Sequence, residues 1–229
     1  MIRYREFEKD FDARFGDIYA HAFHLNRAMM SVRKDETGLD NLRKIIHATL
    51  QISNRRGFHA MTLRELSRAA EISMGALYYY IPGKDSLVEL IVSSVSAAVR
   101  AGLGAPPAYL AGPRQRLEWL LRAHVYLTEI LHPWFFFMFM EAKAFEKPAR
   151  DTALEHELYT EGLVQALIEA GAADGSFTVA DPRMAAALVK PMLQDWYVKR
   201  RKHRARGLGP DDYADAVVAF VLRALAPAA

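Results

Sequence analysis

The sequence predicts an all-α protein, and three observations predict it. Ala, Leu, Arg and Glu dominate its 229 residues and β-branched runs are scarce, a composition that favours helix. Apolar residues recur every three or four positions along most of the chain, the spacing of one helical face. Pro and Gly are sparse and bunched, so they punctuate the periodic stretches rather than interrupt them. Hydrophobic residues make up 52% and charged residues 25%, which is ordinary for a globular chain. The length suffices for one large or two small domains with a sizeable core.

Several function classes fall away at once. There are no cysteines, so disulfides, thiolate metal sites and a cysteine nucleophile are excluded. The charged start, MIRYREFEKD, has no apolar h-region, and no secretory signal is expected. The longest strongly apolar run, Trp134 to Met140, is too short to span a bilayer. A cytoplasmic protein without a membrane partner is the expectation.

The elements follow in order. Residues 1–33 read as one amphipathic helix whose stripe is Phe7, Phe11, Phe15, Ile18, Ala22, Leu25 and Met29, with Gly16 a mild flaw in it. It serves either the chain's own core or a partner chain. Val32 to Asp40 is polar and reads as a linker. Asp40 to Arg56 is the next helix, capped by Asp40 and closed by Gly57. Thr62-Leu63-Arg64-Glu65 is a capping box that opens a short helix. Glu71-Ile72-Ser73 turns the chain, Ser73 caps the following helix, and Pro82-Gly83 stops it. Lys84 opens a longer helix to about Arg100. Ala101 to Pro113 holds three Gly and three Pro in thirteen residues, the clearest break in the chain.

Helices then resume over Arg114–Leu131, Pro133 to about Glu146, Pro148 to Ala170 closed by Gly171, Asp181 to about Arg206, and Asp211–Leu225. By composition the chain divides into an extension (1–38), a central domain (39–100) and a C-terminal domain (101–229). The formal net charge of +3 lies wholly in the middle segment, which holds 8 basic and 5 acidic side chains; its neighbours hold 7 of each and 15 of each. That placement suits a nucleic-acid contact.

Residues 42–95 resemble the DNA-binding domain of the tetracycline-repressor-like (TetR) family of transcription regulators. Thr62, Ser73, Gly75, Leu77, Tyr78, Tyr80 and Lys84 match its pattern without a gap from Thr62 to Lys84, and Leu87 follows as expected. Glu71 stands where the family usually has Gly, Ile81 replaces Phe, and Gly83 replaces a Ser or Asn cap. The resemblance implies a three-helix helix-turn-helix domain followed by a helical ligand-binding and dimerisation domain. It also implies a double-stranded DNA partner and a homodimer formed through residues 182–225.

A reading helix enters the major groove with its N-terminal end and outer face. Met74, Gly75 and Ala76 are small or flexible and allow close approach, with methyl contacts to thymine. Tyr79 and Arg64 are the polar readers. Thr62, Ser73, Tyr78 and Lys84 suit phosphates, which position without specifying. Three successive tyrosines cover about 300° of a helix, so at least one must face outward. Tyr78 and Tyr79 are taken as DNA contacts and Tyr80 as packing.

The C-terminal half carries no GxSxG, HExxH, phosphate loop or GxGxxG; no catalytic residue, metal site or cofactor is expected. His21-x-x-His24 lacks carboxylate company and reads as structural. The run WFFFMFM covers every side of a helix and must be buried all round or line a cavity. Any one of its residues has core packing as its bland alternative. As a set, Trp119, His124, Phe136, Met140, Tyr159 and Trp196 are expected to line a pocket for a mostly apolar effector. Lys199–Arg206 (KRRKHRAR) holds six Lys and Arg in eight residues. It reads as a solvated helix end, a second nucleic-acid patch, or a clamp for an anion such as a coenzyme A phosphate. The whole predicts a repressor that binds a pseudo-palindromic operator as a dimer and is modulated by an apolar small molecule. The alternative is a helical small-molecule-binding or interaction protein whose helix-turn-helix is incidental.

Overall fold

The computed structural model describes residues 1–31 and 34–227. Helices occupy 77% of the described residues, which contain no strand. In chain order the helices are α1 (Tyr4–Phe15), α2 (Ile18–Leu25), α3 (Asp35–Arg56), α4 (Leu63–Ala69), α5 (Met74–Tyr78) and α6 (Lys84–Leu103). They continue with α7 (Pro113–Ile130), α8 (His132–Glu141), α9 (Lys147–Ala173), α10 (Pro182–Val198), α11 (Arg200–Ala205) and α12 (Pro210–Ala224).

The described chain forms two compact units, each assembled from segments distant in sequence. One gathers residues 15–98 and 133–154; the other gathers 1–14, 99–132 and 155–229. In the first unit, α3 packs on α2 and α4. Leu42, Ile45, Ile46, Leu66, Leu77, Ile81, Leu87 and Ile91 are fully buried there. Each such aliphatic side chain contributes about 1.5–3 kcal/mol on burial. In the second unit, α7 is the central helix, flanked by α10 and α12, and nearly every residue from Leu117 to Glu129 is buried. Its first helix, α1, is tied in by Phe7 against the Tyr126 ring at 5.9 Å and by the Tyr4 N–H donating to Asp211 at 3.0 Å.

Several boundaries differ from expectation for identifiable reasons. The single helix over 1–33 is broken at Gly16, whose φ of 74° is left-handed and ends α1; Asp17 then caps α2 by accepting from the Tyr19 N–H. Leu25 and Met29, the end of the expected stripe, are exposed beyond that break. Val32 and Arg33, the first residues of the expected linker, lie outside the described residues. The rest of it, Asp35 to Asp40, is helical, because Asp35 and Glu36 occupy the first turn of α3 and favour its positive dipole end. Gly171 does not close α9: a Cβ there would sit 2.1 Å from the Phe177 ring, so its role is to admit that ring. The helix expected over Asp181–Arg206 is interrupted at Lys199, between α10 and α11. The run WFFFMFM is not buried all round. Trp134, Phe135, Phe137 and Met138 are buried, whereas Phe139 and Met140 are each 43% exposed. Finally, α6 is long and apolar enough to cross a membrane by length and composition, yet 72% of its apolar window is buried inside the protein, as a core helix would be.

Candidate nucleic-acid interface and ligand site

The turn between α4 and α5 is held by short-range bonds. The Thr62 Oγ1 accepts from the Glu65 N–H at 3.2 Å, and Glu65 Oε2 accepts from the Thr62 N–H at 3.0 Å. Arg56 clamps the other Glu65 oxygen at 2.9 Å. The Thr62 N–H, then Arg56, hold the Glu65 carboxyl down to about 2, so this cap stays charged across the physiological range. The Ser67 hydroxyl donates to the Ile72 carbonyl at 2.6 Å, spanning the turn. Glu71 has φ 56°, the left-handed residue that the sequence places at a position usually held by Gly. Ser73 caps α5 by accepting from the Ala76 N–H at 3.1 Å.

This scaffold sets which side chains face outward. Leu66, Ala70 and Leu77 are buried beneath it. Tyr80 is buried and its hydroxyl accepts from Asn41 at 3.1 Å, the packing role expected of it. Tyr78 and Tyr79 are 53% and 58% exposed. Thr62, Arg64, Ser73 and Gly75 are exposed, and Met74 and Ala76 half-buried. Eight of the nine residues expected at DNA therefore lie on one short two-helix element. Lys84, at the start of α6, is placed differently. Its ammonium donates to the Phe58 and His59 carbonyls at 2.8 and 3.0 Å and lies over the Phe58 ring at 4.6 Å. Two of its three donors thus tie the α3–α4 connection to α6. Sequence reasoning missed that role, because carbonyls 25 and 26 residues away leave no sequence signal.

The residues expected at a ligand are divided between the two units. Phe136 and Met140 belong to the first unit, whereas Trp119, His124, Tyr159 and Trp196 belong to the second. Trp196 is fully buried: its ring lies 5.1 Å from Tyr213 and its Nε1 donates to Glu129 at 3.1 Å. Trp119 lines two cavities of the second unit. One, about 450 Å³, is also lined by Met1, Tyr109 and Arg122. The other, about 160 Å³, is lined by Leu103, Leu120, Leu163, Leu167 and the exposed Arg116.

His124 belongs to a buried polar centre that sequence reasoning only half found. Lys190 on α10 is 6% exposed; its ammonium donates to His124 Nε2 at 3.3 Å and to the Thr160 hydroxyl. Burial, then the charges of Lys190 and His156, hold His124 well below the usual histidine range. Burial, Lys190 and Arg100 lower His156 to about 4. Burial lowers Lys190 itself to about 8, against the pull of Glu157 and Glu161. A signal for Lys190 did exist. It falls on the stripe Ala186, Val189, Leu193, Trp196 and Tyr197, all buried, so the helical period places it inward.

Two carboxylates engage four of the six Lys and Arg side chains of the run 199–206. Glu129, 5% exposed at its side chain, accepts from Arg200 at 2.7 Å and from Arg204. Asp195 pairs with Lys199 at 2.8 Å, Lys202 at 2.7 Å and His203 at 2.8 Å.

The comparisons with known proteins agree with this architecture. The family model for bacterial regulatory proteins of the tetR family matches residues 45–91. The model for the tetracyclin repressor-like C-terminal domain matches residues 111–225, half of the chain. The HTH-type transcriptional repressor KstR of Mycolicibacterium smegmatis is 33% identical over 89 residues, 38% of this chain. That match spans 42% of the length of KstR. A tetR-family regulatory protein from Rhodococcus RHA1 shares the fold with a TM-score of 0.73 at 22% identity, over 82% of this chain and 97% of that one. AibR, solved with isovaleryl coenzyme A and operator DNA, shares it with a TM-score of 0.69 at 19% identity, over 79% and 97%. With a TetR-type helix-turn-helix near its start and a TetR-type C-terminal domain over half its length, the chain belongs to the TetR family of DNA-binding transcriptional regulators.

Proposed function

We propose that the protein is a homodimeric repressor that reads a pseudo-palindromic operator and is released by a small effector with an apolar body. The observation that carries the DNA half is the tip of α5. Tyr78 and Tyr79 stand exposed where packing would have buried them, and a Cβ added at Gly75 would meet nothing within 4 Å. The protein's own packing does not ask for glycine there, and glycine within a helix costs about 0.5–1 kcal/mol relative to Ala. Close approach to base edges is what a bare backbone at that position would serve. Met74 and Ala76 then touch thymine methyls, and Arg64 and Tyr79 read polar edges. Thr62, Ser73, Tyr78 and the remaining donor of Lys84 hold phosphates. The name of KstR, a repressor, supports the sign of regulation.

Dimerisation is supported by an apolar face that the protomer leaves uncovered. Met184 and Leu188 on α10 are 56% and 66% exposed, and Phe220 on α12 is 64% exposed. Burying each at a two-fold interface would contribute up to about 1.5–3 kcal/mol. The effector half is supported by the two cavities and by AibR, whose ligand, isovaleryl coenzyme A, carries an apolar acyl group. Effector control requires different affinities for two states of the protein.

The experiment is selection of the bound sequence from random DNA, followed by sedimentation of the complex. Two copies on an inverted repeat, released by a member of an apolar ligand series, are the expected result. A monomeric complex on an asymmetric site would overturn the dimer, and silence across fatty acids, acyl-CoAs and aromatics would overturn the sensor. Phe220→Glu is expected to give monomers.

A further inference from the structure

The buried centre around Lys190 lacks what such a centre needs. A buried ammonium is normally paired with a carboxylate, yet among the described residues none lies within ion-pair distance of Lys190, and Glu157 and Glu161 act on it only from further out. Two of its three N–H groups go to His124 Nε2 and the Thr160 hydroxyl, and both acceptors are neutral. Since His124 Nε2 accepts from Lys190, the imidazole proton sits on Nδ1, and that nitrogen is buried with no partner. The Nε2 of His156 is likewise buried and unpartnered. An unused ammonium N–H on Lys190 and, on the far side of the His124 ring, an unused Nδ1–H therefore remain inside the second unit. Leaving such donors unmet costs about 1–3 kcal/mol each.

The centre adjoins an apolar cavity by helix register. Leu120 lines the 160 Å³ cavity, and His124 is one turn further along the same face of α7. Leu163 lines it from α9, and Thr160 is one turn back on that helix. Residues three and four apart share a helical face. The cavity thus offers apolar walls, and His124 and Thr160, one turn away on two of its helices, are the residues that hold the Lys190 ammonium.

We infer that the Lys190 centre is the head-group site for the carboxylate of a small apolar acid, whose tail occupies the cavity lined by Leu103, Leu120, Leu163 and Leu167. The carboxylate supplies a counter-ion in direct contact and accepts from the remaining N–H of Lys190. A cavity of this size is close to the roughly 150 Å³ that admits benzene, so the tail has about six carbons. The inference rests on the effector-sensing reading above and narrows it to free acids.

The test is calorimetric titration of the full chain with hexanoate, hexanamide and a hexanoyl thioester. Hexanoate is expected to bind at least about tenfold tighter than the other two, the ratio that one extra charged hydrogen bond gives. In Lys190→Met, hexanoate is expected to fall to the hexanamide level while hexanamide is retained. The same variant without ligand is expected to melt higher than the wild type, because it removes a charge that burial penalises. A purely structural network would melt lower on losing its bonds to His124 and Thr160. If Lys190→Met does not fold, the wild-type acid-to-amide ratio decides. Equal binding of all three compounds, or preference for the thioester, overturns the carboxylate assignment and leaves the sensor reading in place. Silence of all three with a response elsewhere in the apolar series does the same. Silence in both sets overturns both.

Discussion

The α4–α5 element and the Lys190 centre treat their polar groups in opposite ways. In the first, Thr62, Glu65, Ser67 and Ser73 satisfy backbone groups within five residues of themselves, while two aromatic rings stand in solvent. In the second, Lys190, His124 and Thr160 come from three helices and are buried, while two imidazole nitrogens remain unmet. The contrast teaches where each region's missing partner must come from. A self-satisfied scaffold with an open face presents a surface to a large partner. A buried centre with surplus donors has room only for something small.

The largest effect that would break this contrast is in the core of the reading element. Leu77→Ala, beneath α5, is expected to lower stability by about 2–5 kcal/mol and abolish DNA retention; denaturant unfolding and gel shift check it. An unaffected element would mean that its rigidity does not come from that contact. Next is the pH dependence of the Lys190 centre, whose titratable neighbours are His124 on α7 and His156, Glu157 and Glu161 on α9. Its ammonium is lowered to about 8 by burial. Below pH 8 it is charged in both folded and unfolded chains and its burial penalty is complete. As pH rises toward the unfolded value near 10.5 the folded chain has already lost the proton, so the penalty fades. Lys190→Met is therefore expected to exceed the wild type in stability by about 3 kcal/mol below pH 8, with the gap closing toward pH 10.5. A gap constant with pH would place the ammonium in water.

Smaller changes sharpen the picture of the reading element. Thr62→Ala removes one half of the capping box and is expected to cost about 1 kcal/mol, read as a lower melting temperature, with Thr62→Ser near neutral. Gly75→Ala is expected to raise stability by about 0.5–1 kcal/mol while weakening operator binding. The opposite signs are the diagnostic result, since a purely structural glycine would move both together.

The legible parts of the molecule share one property, which is short range. The capping box at Thr62, the Ser73 cap and the left-handed Glu71 each involve partners within three residues or a single backbone angle, so the local residue order specifies them. The burial of Leu66, Leu77 and Leu87 followed from helical spacing in the same way. The expected ligand set depends on contacts of longer range. Trp196 and Phe136 are large and apolar, but nothing in their spacing tells whether such a side chain meets a cavity or a neighbour. Trp196 met Glu129 and Tyr213. The run 199–206 shows the same limit for charge. Its density was plain, but not that Glu129, 71 residues before Arg200, would absorb two of its arginines.

The sequence by itself determined the helical class, the reading element with both of its caps, and the placement of excess positive charge beside it, because backbone hydrogen bonds and helical periodicity act over three to four residues. Tertiary structure alone decided that Lys84 binds two carbonyls, that α10 ends at Val198, and that Lys190, His124 and Thr160 meet in one buried centre. Those outcomes depend on which distant helices come to lie side by side, and the pairing of buried charges is settled only when they do.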